Sequence, residues 1–169
     1  PHVFGDASYD SDEALRDAWE RSKADERAAR SDDKASSQMD GIAHALPALI
    51  RAEKLQKRAA RVGFDWPDAQ GAFDKVREEL VEVEDEWRTA DRARLQDELG
   101  DLLFALVNVV RLLGLDAEQT LVQANSKFER RFRAVEELLQ AQGVDDLAAC
   151  SLAELDAAWN DVKRREPGS

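Results

Sequence analysis

Two acidic clusters carry the residue types and spacing that could do chemistry in this chain: Glu78-Glu79-Leu80-Val81-Glu82 and Glu98-Leu99-Gly100-Asp101. In a helix, Glu79 and Glu82 share one face, and so do Glu98 and Asp101. If the two helices run antiparallel as neighbours, four carboxylates converge between them. Each like-charged pair at helical spacing costs roughly 0.2 to 0.5 kcal/mol, and bringing two such pairs together costs more. A bound cation would offset that cost. Asp and Glu ligands without His or Cys select hard, oxygen-preferring ions, Mg²⁺ or Mn²⁺ in a cell. A di-iron carboxylate site would need Glu-x-x-His pairs, and neither His2 nor His44 supplies one.

An acidic run on a helix is most often a solvated face. Against that, the stretch from Leu99 to Leu113 is almost wholly apolar apart from Gly100, Asp101, Asn108 and Arg111. Such a helix is expected at the centre of a bundle, where carboxylates are poorly hydrated unless something pairs with them. A second charged set, Lys127 and Arg131 four residues apart with Arg130 beside them, could form an opposite wall. Metal ions on one side and fixed cations on the other are what a polyphosphate needs. Lys75, one turn before Glu79, could reach the same phosphates. Phe64, Trp66 and Trp159 could stack on a base, Trp159 being favoured because Lys163 lies one turn further along its face.

The elements that must position these groups read as nearly all α, since the apolar residues recur at helical spacing between a few Pro and Gly boundaries. Helices are predicted over about 11–30, 47–62, 68–89, 92–113 and 117–141, with a short last one ending near Arg165. Gly63 and Gly114 are the expected stops. Asp116 is placed to cap the helix that follows it, and Ser151 with Glu154 spells a capping box. The stripes Val76-Leu80-Val83-Trp87 and Leu95-Leu99-Leu102-Leu106-Val109-Leu113 are expected to face the core. The tight connection around Thr89-Ala90-Asp91 makes the two acidic helices antiparallel neighbours. Beyond the acids, Ala105 and Asn108 are expected to leave that face open.

With 169 residues, the chain is long enough for one ordinary domain. Its net charge of -12, from 24 basic and 36 acidic residues, repels phosphate and argues against a nucleic-acid partner. Cys150 is the single cysteine, which excludes an internal disulfide and fits a reducing cytoplasm. No stretch has the ~20 apolar residues of a membrane span. The first residue, Pro1, implies either a removed initiator Met or a chain cut from a longer one.

Read together, these motifs resemble the MazG family of nucleoside triphosphate pyrophosphohydrolases, an all-α group. Its pattern Glu-Glu-x-x-Glu followed by Glu-x-x-Asp is matched by Glu78-Glu79-x-x-Glu82 and Glu98-x-x-Asp101. The Lys127-Phe128-Glu129-Arg130-Arg131 run and the Gly63-Phe64-Asp65-Trp66 turn match in the same order. The resemblance covers about residues 41–166 and implies a four-helix-bundle-like domain, with residues 1–40 an inter-domain connector or N-terminal extension bearing one charged helix. It is strongest to the second domain of tandem members.

That resemblance implies Mg²⁺-dependent hydrolysis of nucleoside triphosphates, broad in base preference, to monophosphate and pyrophosphate. Glu79, Glu82, Glu98 and Asp101 would be the catalytic metal ligands, with Mn²⁺ a substitute ion. Glu78, about 100° round the helix from Glu79, would support them from outside or pair with a base. Lys75, Arg94, Leu95, Gln96, Asp97, Lys127, Arg130, Arg131, Trp159 and Lys163 would hold the nucleotide. A homodimer or higher oligomer is implied as well. Competing readings are a narrow dUTP or dCTP hydrolase, a phosphoribosyl-ATP hydrolase, and a non-catalytic helical interaction module.

Overall fold

A computed structural model describes residues 37–89 and 91–166. Within them the chain is helical throughout, with five α-helices, one 3₁₀ turn and no strand. The expected N-terminal helix over 11–30 lies outside the described residues. The chain divides into two units, residues 1–66 and 67–169.

In the first unit, helix α1 (Ala48–Ala60) begins after Pro47, whose fixed φ and missing N–H suit a helix start. Gly63 closes its end at φ +83°, where the Phe64 amide donates back to the Ala59 carbonyl at 3.1 Å. Only glycine takes that left-handed conformation without strain. The Arg58 guanidinium donates to the Gln38 carbonyl at 3.1 Å and so ties the preceding turn to the helix.

The second unit is built from two helix hairpins. Helices α2 (Ala69–Thr89) and α3 (Arg92–Leu112) form the first and pack along their length. Asp91 caps α3, its carboxylate accepting from the amides of Ala93 at 3.0 Å and Arg94 at 3.2 Å. Helices α4 (Ala117–Ala141) and α5 (Leu152–Arg165) form the second. Asp116 caps α4 through the Gln119 amide at 2.8 Å, and the Ser151–Glu154 capping box opens α5. Val135 and Leu139 of α4 pack with Ala158 and Val162 of α5 as the buried nucleus of this hairpin, flanked by Trp159 and Cys150. The two hairpins meet only lightly, through α3 and α4.

The buried stripes are rotated from those expected. On α2, Leu80 and Trp87 are 47% and 71% exposed. The inward face runs instead through Ala72, Val76, Glu79 and Val83. On α3 it runs through Leu95, Glu98, Leu102, Ala105 and Val109, whereas Leu99, Leu106 and Leu113 are exposed. Both observed stripes keep helical spacing, but each has a glutamate in it. Hydrophobic patterning assigns the core to apolar residues alone, so it shifts to the neighbouring stripe when an acid holds a facing position. Helix α3 therefore also carries apolar residues off the α2-facing stripe, Leu99, Leu103 and Leu106 exposed and Val107 buried among them.

Candidate active site

Helices α2 and α3 present their acids to each other because the hairpin is in register. Near the turn, the Arg94 guanidinium of α3 lies 3.5 Å from the Glu86 carboxylate of α2. Continuing that antiparallel register places Glu82 opposite Glu98 and Glu79 opposite Asp101. Oxygen atoms of Glu79, Glu98 and Asp101 do converge, all within 4.8 Å of one another. Glu82 borders this trio and is coupled to Glu79. Lost solvent around its carboxyl, then the negative charge of Glu79 and of Glu98, push its pKa up against the opposing pull of Lys75.

Glu79 is the centre of the cluster. It is only 3% exposed. One oxygen takes the Lys75 ammonium at 2.5 Å, and the other, Oε2, is buried without a hydrogen-bond partner. A buried carboxylate oxygen left unpaired is costly. Two more acids lie close by, so the donor set is that of a hard divalent cation with carboxylate ligands. The residues present fit such an ion.

Lys75 bridges two acids, with Glu78 at 2.8 Å on its other side. Hydrogen bonds to Glu78 and then Glu79 hold its ammonium charged well above the ordinary lysine range. Glu78 itself is exposed and makes its recorded contact with this lysine rather than with the trio. Beyond the acids, the face is less open than expected. Ala105 is buried, and the Asn108 amide oxygen accepts from Arg111 Nη2 at 2.6 Å and Nε at 3.1 Å.

The basic set is placed by the other hairpin. Lys127 is exposed. Arg131 turns a forked contact onto Glu166, with Nη2 and Nε donating to the same carboxylate oxygen at 2.6 and 2.9 Å. Arg130 reaches the second oxygen of Glu166 at 3.2 Å. The pairing raises the Arg131 pKa and, through Arg131 first, lowers that of Glu166. Trp159 is partly buried against the α4–α5 nucleus. Its ring lies 5.4 Å from that of Phe128, which in turn stacks on Phe132 at 6.0 Å.

The MazG nucleotide pyrophosphohydrolase domain matches residues 70–135, a span that holds both acidic helices and the basic run. Over that span the chain carries a MazG domain. It is 46% identical over 168 residues to the nucleoside triphosphate pyrophosphohydrolase of Escherichia coli, covering 98% of this chain and 62% of that protein. Over 166 residues it is 39% identical to the nucleoside triphosphate pyrophosphohydrolase/pyrophosphatase MazG of Thermotoga maritima, covering 96% of this chain and 59% of that one. Over 167 residues it is 41% identical to the uncharacterized protein YabN of Bacillus subtilis, covering 98% and 33%. The chain thus spans about 60% of the length of the first two relatives.

Several expected contacts in this chain take a particular form. Arg94 is committed to Glu86 and, more loosely, to Asp91 at 3.8 Å. Leu95 is half-buried on the α2-facing stripe, while Gln96 and Asp97 are exposed beside it, as is Lys163 on α5. The residue that the motifs did not point to is Glu166. It lies 35 residues beyond Arg131, outside any local pattern, and only the folding back of α5 onto α4 brings the two together.

Proposed function

We propose that this chain hydrolyses nucleoside triphosphates to nucleoside monophosphate and pyrophosphate with Mg²⁺, through residues 41–166 as the catalytic domain. The observation that carries the reading is the convergence of Glu79, Glu98 and Asp101, with a buried, unpartnered Glu79 oxygen at its centre. The names of the Escherichia coli and Thermotoga maritima relatives support the choice of reaction.

In this reading Glu79, Glu98 and Asp101 hold the metal, with Glu82 completing the acidic wall. When bound, the ion supplies charge neutralisation for the triphosphate and lowers the pKa of water. Water oxygen bonds to the α-phosphorus, the bond from that phosphorus to the α–β bridging oxygen breaks, and the water proton passes to solvent or base. Pyrophosphate leaves carrying the bridging oxygen. Lys127 and Arg131 neutralise the charge gathering on that leaving group. Lys75 can turn from Glu79 to a phosphate oxygen, since its four-carbon stem is flexible. Trp159, with Lys163 beyond it, offers the base a stacking surface that tolerates any nucleobase.

The exposed Leu99 and Leu103 of α3 support assembly through a second copy of the chain. The single cysteine and the acidic surface fit a cytoplasmic setting. Among the described residues, no helix is long and apolar enough to cross a membrane.

A panel of ribo- and deoxyribonucleoside triphosphates with Mg²⁺, scored for pyrophosphate against orthophosphate, tests the reaction. Pyrophosphate from several bases is expected. Orthophosphate release, or no turnover of any nucleotide, would refute it. Activity confined to dUTP, dCTP or phosphoribosyl-ATP would refute the broad base preference. Sedimentation tests assembly, a dimer or larger being expected and a monomer refuting it.

A further inference from the structure

The Arg131 fork is already filled. Its Nε and Nη2 both donate to one oxygen of Glu166, and Arg130 takes the other. A guanidinium fork fits a carboxylate and a phosphate in the same way, by paired N–H donors onto oxygens. While Glu166 holds it, that edge of Arg131 is not available to a phosphate.

Of the two partners, Glu166 is the one free to move. Arg131 lies in the middle of α4, one turn before Val135, which is 2% exposed and packed in the hairpin nucleus. Its side chain is 16% exposed. Glu166 follows the last residue of α5 in extended conformation, and its amide keeps a single 3.3 Å bond to the Lys163 carbonyl. Val162 is the last buried residue of α5. Swinging Glu166 away therefore breaks no packed contact of the nucleus.

We propose that Glu166 is a displaceable carboxylate that keeps the Arg131 fork aligned and charge-compensated until a phosphate group of a di- or triphosphate takes its place. This role rests on the reading of Arg131 as a phosphate ligand. Before substrate arrives, Glu166 spares the chain two adjacent uncompensated arginines. As pyrophosphate departs, it recaptures the fork. Its exchange lowers the apparent affinity for polyphosphate, because each binding event must first undo an ion pair. Glu166 is thus a positioning residue that sets substrate and product affinity through Arg131.

The test is calorimetric titration of the full chain with inorganic pyrophosphate in Mg²⁺, using wild type, Glu166→Gln, Arg131→Gln and the double variant. Glu166→Gln is expected to bind pyrophosphate roughly two- to fivefold more tightly, the range of a partly exposed ion pair. In the Arg131→Gln background, the same change is expected to do nothing. The KM for a triphosphate should fall by a similar factor in Glu166→Gln, without loss of kcat. Unchanged or weaker pyrophosphate binding in Glu166→Gln overturns the role, and so does a gain that persists without Arg131. Wild type that binds no pyrophosphate overturns it too. An Arg131-dependent gain in a chain that hydrolyses no triphosphate upholds the role of Glu166 and sinks the catalytic reading alone.

Discussion

Replacing Glu79 by glutamine separates what the proposed metal would do from what holds the helices together. Glu79 has carboxylate oxygens of Glu98 and Asp101 within 4.8 Å and the Lys75 ammonium at 2.5 Å. At an effective dielectric of about 20, two unit charges no more than 4.8 Å apart repel by at least about 3.5 kcal/mol, and opposite charges at 2.5 Å attract by about 7 kcal/mol. The two repulsions together at least match the one attraction, and solvent at Lys75, Glu98 and Asp101 reduces all three.

Glu79→Gln should therefore change metal-free stability by no more than about 1 to 2 kcal/mol. Lys75 keeps Glu78 as a partner, so no charge is stranded. The metal response should be lost. At 100 times its dissociation constant, a bound ion adds about 2.7 kcal/mol, a rise in Tm of about 5 to 10 °C for a domain of this size. Scanning calorimetry with and without Mn²⁺ or Mg²⁺ should show that rise in wild type and less than about 1 °C in the variant. A full metal-dependent rise in Glu79→Gln would refute the ligand assignment. A metal-free Tm lower by more than about 10 °C would refute the charge balance.

Three further outcomes are expected. Glu98→Gln or Asp101→Asn should cut pyrophosphate release from triphosphates by roughly 100-fold or more while far-UV circular dichroism stays helical; near-normal turnover in either would remove that residue from the catalytic set. Ser151→Ala should cost about 1 kcal/mol in urea unfolding, because it dismantles the capping box of α5. Glu166 and Glu154 both have folded-state pKa values below the ordinary 4.5. Their stabilisation is thus present above that value and lost as pH falls below it through the lower folded-state pKa values. Urea midpoints taken from pH 7 downward should drop, and less steeply in Glu166→Gln; equal slopes would show that the Arg131 pair adds nothing.

The sequence by itself determined the helical class, most helix ends and the pairing of the acidic helices. Those features are local. Asp91, Asp116 and Ser151 cap the helices next to them, Gly63 and Gly114 end them at positive φ, and the short turn between α2 and α3 leaves little choice but an antiparallel hairpin. The motif acids could be read for the same reason, since helical spacing alone puts each pair on one face.

Tertiary structure decided which face was inward. Glu79 and Glu98 hold positions in the buried stripes that apolar counting gave to Leu80 and Leu99, because a site that needs carboxylates spends core positions on them. It decided too that Glu79, Glu98 and Asp101 draw together, and that Arg131 meets Glu166. That last contact joins residues far apart in the chain, on α4 and at the end of α5, and depends on how those two helices fold against each other. No local propensity encodes it; the packing of Val135 and Leu139 against Ala158 and Val162 does.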